Sequence, residues 1–258
     1  MKSFLMFDVD GVIRPLPMGG RVAVPPHGVA KMLRSIQQRG RHLLAANSGS
    51  SLEALRLTEC ALGFRFDDVA ASHGTRHVRR GGYTPSERVL VPPDQHRFLG
   101  EITPELDRIR EATGGKLYDY WTAYTMFFEP NSTAFNEAAE MVAELVSRSG
   151  GLLKSKAYVD GGVCVMPAAA SKALLVDYLC GGLGRKILVG AGDTASDAPM
   201  LEAAEFPIVT RTWAGAPLDP VLVEIVRRKG QGYLARKDEA HGFGLMRGLA
   251  AAQNRGII

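Results

Sequence analysis

The sequence predicts an α/β protein: a parallel sheet with helices on its faces, interrupted by an inserted α+β unit. Three observations carry this. Short apolar runs alternate with helical patterns through the first third of the 258 residues, the same alternation returns after about residue 167, and the stretch between differs in kind. A chain of this length accommodates one large domain or two modest ones.

Taken in order, Phe4 to Val9 reads as a buried strand, Pro26 to Arg39 as a helix, His42 to Ala46 as a strand, Leu52 to Leu62 as a helix and Val69 to Ser72 as a strand. In the last third, Lys172 to Leu179 reads as helix, Ile187 to Gly190 as a fully buried strand, Pro199 to Ala204 as a short helix and Phe206 to Val209 as strand. The middle opens with Pro-containing turns. Thr103 and Pro104 carry the signature of an N-cap and first helical position, and Gly114 that of a stop. Leu117 to Glu129 reads as one long aromatic strand. An amphipathic helix follows with Ala138, Met141, Val142, Leu145 and Val146 on one face, ended by Gly150-Gly151, and a strand pair turns around Asp160-Gly161-Gly162. The expected division is a core of residues 1–82 and 167–258 and an insert of residues 83–166.

The composition excludes several classes of function. With 31 basic and 27 acidic residues interspersed and a net charge of +4, no nucleic-acid partner is expected. The one basic cluster, Arg76 to Arg80, reads as a solvated loop, and a mildly positive surface suits a small phosphorylated substrate. No stretch reaches the ~20 apolar residues of a membrane helix, and Phe4-Leu5-Met6-Phe7 ends at Asp8, so neither a span nor a secretory leader is expected. The chain is expected in the cytoplasm. Cys60, Cys164 and Cys180 lack CxxC spacing and read as buried apolar residues rather than a disulfide or zinc site.

Four segments carry chemistry. Asp8-Val9-Asp10-Gly11 follows the first strand, at the end where open α/β sheets place their ligands. If the chain turns after Asp8, one carboxylate and the next backbone carbonyl can bind Mg²⁺ while the other carboxylate handles a proton; Asp-Gly also suits a plain turn. Asn47-Ser48-Gly49-Ser50 offers a hydroxyl and backbone N–H groups ahead of a helix, an anion site or a helix cap. Lys172 stands at the start of another helix, where a lysine alone reads as a surface charge. Gly192-Asp193-Thr194-Ala195-Ser196-Asp197 supplies two more carboxylates after a buried strand, or a cap.

In this order and spacing the four segments resemble the haloacid dehalogenase superfamily of phosphohydrolases, a resemblance that spans the whole chain. It implies a Rossmann-like core and Mg²⁺ as cofactor. Asp8 is then the nucleophile and Asp10 the general acid/base. Ser48, Gly49 and Lys172 become phosphoryl ligands, Asp8, Asp10 and Asp193 metal ligands, and Asp197 a support for Lys172 or a metal-bound water. Between Ser48 and Lys172 lie 123 residues, which is the C2 cap position, and the α+β pattern is similar to the caps of trehalose-phosphate, sucrose-phosphate and mannosyl-phosphoglycerate phosphatases. Ser72-His73-Gly74 looks like the corresponding segment of the trehalose-phosphate group. Ser50 and Ser196 depart from the Arg and Asn that many relatives have at those places. The implied activity is hydrolysis of a sugar phosphate, with a phosphomutase and a non-catalytic sugar-phosphate binder as alternatives. On the cap, Trp121, Tyr124, Glu129, Lys156 and Asp160 are candidates for holding the sugar, although Trp121 and Tyr124 also suit the cap's own core.

Overall fold

The structure, a computed structural model, describes residues 2–16, 23–80 and 86–258. The chain divides into two compact units. The first comprises residues 2–16, 23–80, 86–88 and 172–258, and the second residues 89–171. The expected boundary at 82/83 lies outside the described residues. The second unit runs on to Ser171 because Ala168 N–H donates to Leu152 O and Ala169 N–H to Gln95 Oε1, which tie the segment after the last strand to that unit.

The first unit is built on one eight-stranded sheet. Its first members are β1 (Ser3–Phe7), β2 (His42–Asn47), β3 (Asp68–Ala71), β4 (Arg76–Arg79) and β5 (Ser86–Val89), with helices α1 (His27–Gln38) and α2 (Leu52–Leu62) between them. The second unit then contributes α3 (Pro93–Thr113), β6 (Lys116–Tyr120), β7 (Tyr124–Phe127), α4 (Thr133–Ser147), β8 (Leu153–Ala157) and β9 (Gly162–Pro167). The chain returns to the first unit through α5 (Ala173–Asp177), β10 (Ile187–Gly192), α6 (Ala198–Ala203), β11 (Ala204–Val209), α7 (Pro220–Lys229), β12 (Tyr233–Leu234) and α8 (Gly242–Asn254).

The large sheet has the order β12-β11-β10-β1-β2-β3-β4-β5. Every pair from β12 to β3 is parallel, and β3 with β4 is antiparallel. Both faces of the central strands are buried. Leu5, Phe7 and Val189 pack with α1, α2 and α8 on one side, while Phe4, Met6 and Ile187 pack with α5, α6 and α7 on the other, so these strands read as continuous apolar runs. Phe7 lies level with Ala46 on β2 and Ala191 on β10, and these registers bring three strand ends together.

The second unit is a four-stranded antiparallel sheet, β6-β7-β9-β8, with α3 and α4 on one face. Three expectations are corrected here. The run Leu117 to Glu129 is a hairpin, β6 and β7, turned at 121–123, because thirteen residues exceed the usual span of a strand in a small sheet. The helix expected to have Thr103 as its N-cap and Pro104 as its first residue begins eleven residues earlier, at Pro93, which takes the first-turn place, and Pro104 lies inside it. Residue 100, four positions before this proline, is a glycine, and the Thr103 hydroxyl donates to Leu99 O. Finally, Arg76 to Arg80 is no solvated loop: β4 pairs with β3, His77 is buried against Asp68, and Arg80 is paired with Glu59.

Candidate active site

The site is assembled at the C-terminal ends of β1, β2 and β10. After Phe7 the chain leaves the sheet and turns at Gly11, whose φ of +78° lies in the left-handed region. Asp8 is buried; its N–H donates to Ala191 O, and its Oδ1 accepts from Val9 N–H at 2.7 Å. Lys172, also buried, donates from Nζ to Asp8 Oδ2 at 2.8 Å and to Asp197 Oδ1 at 2.5 Å. Its backbone is fixed from β2, because Asn47 Nδ2 donates to Lys172 O at 2.8 Å. A surface charge is therefore not what Lys172 is.

Asp193 and Asp197 follow β10 on a short 3-10 turn. Asp197 accepts from Asp193 N–H at 2.9 Å and Thr194 N–H at 3.2 Å on Oδ2, so both of its oxygens are engaged. The Thr212 hydroxyl donates to Asp193 Oδ2 at 3.1 Å. Thr210 ties the two turns together, its hydroxyl near Gly11 O at 3.0 Å and Gly192 O at 3.3 Å. Asp193 lies so close to the first turn that a Cβ on Gly11 would fall 2.0 Å from its Oδ2. One oxygen from each of Asp8, Asp193 and Asp197 lies within 4.8 Å of the others.

Electrostatics make this cluster incomplete by itself. Three buried carboxylates face the single ammonium of Lys172. Burial pushes the Asp8 carboxyl up to about 7 even though Lys172 pulls the other way, and burial with Asp197 and Asp8 close by raises Asp193 well above the carboxylate range. Burial works against the Lys172 ammonium, but Asp197 and Asp8 outweigh it and hold that group above the ordinary lysine value. A buried, oxygen-only donor set with excess negative charge fits a divalent cation such as Mg²⁺. Asp8 and Asp193 are the members with the fewest competing bonds, and Asp197 braces Lys172.

Asp10 is not in this cluster. Its carboxylate is held by Arg14, Nε to Oδ1 at 2.7 Å, and by the Ser50 hydroxyl, to Oδ2 at 2.5 Å, and 15% of its side chain stays accessible. Asp10 was expected among the metal ligands; its side-chain oxygens are taken by Arg14 and Ser50 instead, and the carboxylates that cluster are those of Asp8, Asp193 and Asp197. Ser48 is buried at the end of β2, its N–H donating to Ala70 O and its Oγ accepting from Ser50 N–H at 3.1 Å. Ser51, not Ser48, caps α2. The His73 ring lies over Gly49, 2.7 Å from where a Cβ there would be. Ser72, His73 and Gly74 all have positive φ, and His73 N–H donates to Ser48 O, so the turn after β3 braces the loop after β2.

In the second unit the five sugar-binding candidates separate. Tyr124 is buried among Leu106, Met126 and Val142 on the helix-facing side, its hydroxyl donating to Asp107 Oδ1 at 2.7 Å, a position that suits packing and not ligand recognition. Lys156 is on the opposite face, level with Cys164, Thr125 and Asp119 across the four strands. Trp121 is partly exposed at the hairpin tip, edge-on to His96. Asp160 shapes the β8–β9 turn by accepting from Gly162 N–H, and Glu129 is exposed where the chain leaves β7. Sequence reasoning missed Arg14, Thr58 and Thr212. For Arg14 a signal existed: a lone arginine inside the apolar run Val12-Ile13-Arg14-Pro15-Leu16.

No family model and no curated protein matches the chain. Solved structures do match it. The sucrose-phosphatase of Synechocystis sp. PCC6803, in complex with sucrose and phosphate, is 17% identical with a TM-score of 0.62 over 98% of both chains. A haloacid dehalogenase-like hydrolase from Bacteroides thetaiotaomicron is 14% identical with a TM-score of 0.68 over 99% of both. The C-terminal domain of trehalose-6-phosphate phosphatase from C. albicans is 14% identical with a TM-score of 0.61 over 89% of this chain and 92% of that one. The mostly parallel sheet, the inserted antiparallel unit and these likenesses lead to one conclusion: the chain has the haloacid dehalogenase fold.

Proposed function

We propose that the chain is a divalent-cation-dependent phosphatase that hydrolyses the phosphate monoester of a sugar through a phosphoryl group carried on Asp8. The observation that supports it most is the meeting of Asp8, Lys172, Asp193 and Asp197 at the strand ends, with Asp10 two residues on and held separately. A phosphate monoester dianion repels a carboxylate, so cationic groups must offset its charge before Asp8 Oδ attacks phosphorus in line. Lys172 supplies one positive charge from this chain. Mg²⁺ held by Asp8 and Asp193 would, when bound, neutralise the phosphoryl oxygens further. Asp10 gives a proton to the leaving sugar oxygen as its bond to phosphorus breaks, then takes one from the water that hydrolyses the aspartyl phosphate. Ser48 and the backbone of Gly49 are the candidates for holding the phosphoryl oxygens.

For the leaving group, sucrose and trehalose phosphatases among the structural neighbours support a sugar, and the face of the second unit's sheet that carries exposed Lys156 and half-buried Thr125 offers hydrogen-bonding groups for hydroxyls. Residues 89–171 are proposed as the cap that selects it. The test is a screen of the purified protein against phosphorylated sugars, with and without Mg²⁺ after chelation. Phosphate release that requires the metal is expected. Isomeric sugar phosphate with little free phosphate would point to a mutase instead, and no turnover of any monoester would overturn the proposal.

A further inference from the structure

Arg14 is wholly buried, and none of the roles above uses it. A guanidinium keeps its proton in the interior, so its N–H groups must find acceptors. Three do. Nε donates to Asp10 Oδ1 at 2.7 Å, Nη1 to Thr58 Oγ1 at 2.6 Å and Nη2 to Ser50 Oγ at 3.3 Å. The acceptors are themselves oriented: the Thr58 hydroxyl donates to Ala54 O at 3.0 Å, leaving a lone pair for Arg14, and the Ser50 hydroxyl donates to Asp10 Oδ2. Backbone bonds close the loop that folds Arg14 back, Gly11 N–H to Arg14 O at 2.8 Å and Arg14 N–H to Val9 O at 3.0 Å. Each Asp10 oxygen thus receives one donor from a frame anchored on α2, and the carboxyl keeps an accessible edge while Arg14 has none.

We propose that Arg14, anchored by Thr58 and Ser50, is a positioning residue that fixes the plane of the Asp10 carboxyl group for proton transfer with the substrate's leaving oxygen. This rests on the phosphatase reading. Proton transfer needs heavy atoms within hydrogen-bond reach, and a displacement of ~1 Å can cost ~100-fold in rate. The proton balance is simple. Asp10 loses its proton to the leaving oxygen as the Asp8–phosphorus bond forms, recovers one from the attacking water, and Arg14 remains protonated throughout.

In the phosphoryl-transfer step, which kcat/KM reports, a leaving group acidic enough to depart without a proton should be nearly indifferent to this alignment and an alkoxide should not. The later hydrolysis of the aspartyl phosphate uses Asp10 for both substrates and does not enter that ratio. The experiment compares kcat/KM for a sugar phosphate and for p-nitrophenyl phosphate at saturating Mg²⁺ in wild type, Arg14→Lys and Thr58→Val, with circular dichroism melts on each. Arg14→Lys is expected to lose about 100-fold on the sugar phosphate through kcat, with KM unchanged, and less than about 10-fold on the aryl phosphate. Thr58→Val, which leaves both Asp10 and Arg14 in place, should show a smaller loss with the same bias, and it decides the matter if Arg14→Lys does not fold. Equal losses on both substrates, or none, overturn the positioning role alone. A wild-type protein that releases phosphate from neither substrate overturns the phosphatase reading and this inference with it.

Discussion

Gly11→Ala separates the cost of a backbone conformation from the cost of moving Asp193. At Gly11 φ is +78°, and the left-handed region costs an L-residue roughly 1–2 kcal/mol. The methyl group would also stand 2.0 Å from Asp193 Oδ2 and 2.6 Å from its Cγ. An ordinary contact starts at 3.4 Å, so the carboxylate must retreat by about 1.4 Å (3.4 − 2.0) from the turn at Gly11. A shift of that size in a proposed metal ligand is expected to cost ~100-fold or more in kcat/KM. Gly40→Ala is the control: φ is +64° there, yet no atom lies within 4 Å of the added carbon. Both variants should melt several degrees below wild type, at roughly 2–4 °C per kcal/mol for a chain of this size. Only Gly11→Ala should lose phosphate release and its rescue by Mg²⁺. Wild-type turnover in Gly11→Ala would refute the placement of Asp193 in the working site.

Other outcomes follow from the same geometry. Mg²⁺ at 100 times its Kd should stabilise the protein by ~2.7 kcal/mol, seen as a rise in Tm of about 5–10 °C, and Asp193→Asn should abolish that rise. Of the cysteines expected to be buried, Cys164 is and Cys60 on α2 is exposed; burial pushes the Cys164 thiol up to about 12, so in the native protein a thiol reagent at mildly alkaline pH should modify Cys60 and spare Cys164 until denaturant is added. Burial lowers the pKa of His42 and of His241, whose Nδ1 atoms have no hydrogen-bond partner. The unfolded chain therefore binds protons first as pH falls through about 6.5, and stability is lost below that value. A His42→Gln/His241→Gln variant should show a smaller drop in denaturation midpoint between about pH 7 and pH 5 than wild type.

What the sequence disclosed and what it hid have physical reasons. Strands buried on both faces were legible because apolar content alone marks them: β1, β2, β10 and β11 lie within two residues of their expected ends, and α2 starts and stops where its helical pattern says. In the second unit the aromatic run concealed its turn, since Trp121 keeps the run apolar through the loop and no Gly or Pro punctuates it. Pro104 misled because a proline signals a helix start only when nothing earlier can start it, and Pro93 can. At the site, the carboxylates and Lys172 stand in short local motifs. The frame around Asp10 does not: Arg14, Ser50 and Thr58 meet only after β1 and β2 pair, and no spacing rule joins residues 36 and 44 positions apart. The side on which Tyr124 and Lys156 lie depends on strand register, which the missed turn left open.

The central claim, that Asp8 carries the phosphoryl group, is tested most directly by trapping it. Wild-type protein mixed with a radiolabelled phosphate monoester and Mg²⁺, quenched in acid within one turnover and digested, should yield one labelled peptide, the one containing Asp8. Asp8→Asn, folded to the same Tm within a few degrees, should yield none. Label on any other residue, or phosphate release by Asp8→Asn at a wild-type rate, would contradict the account.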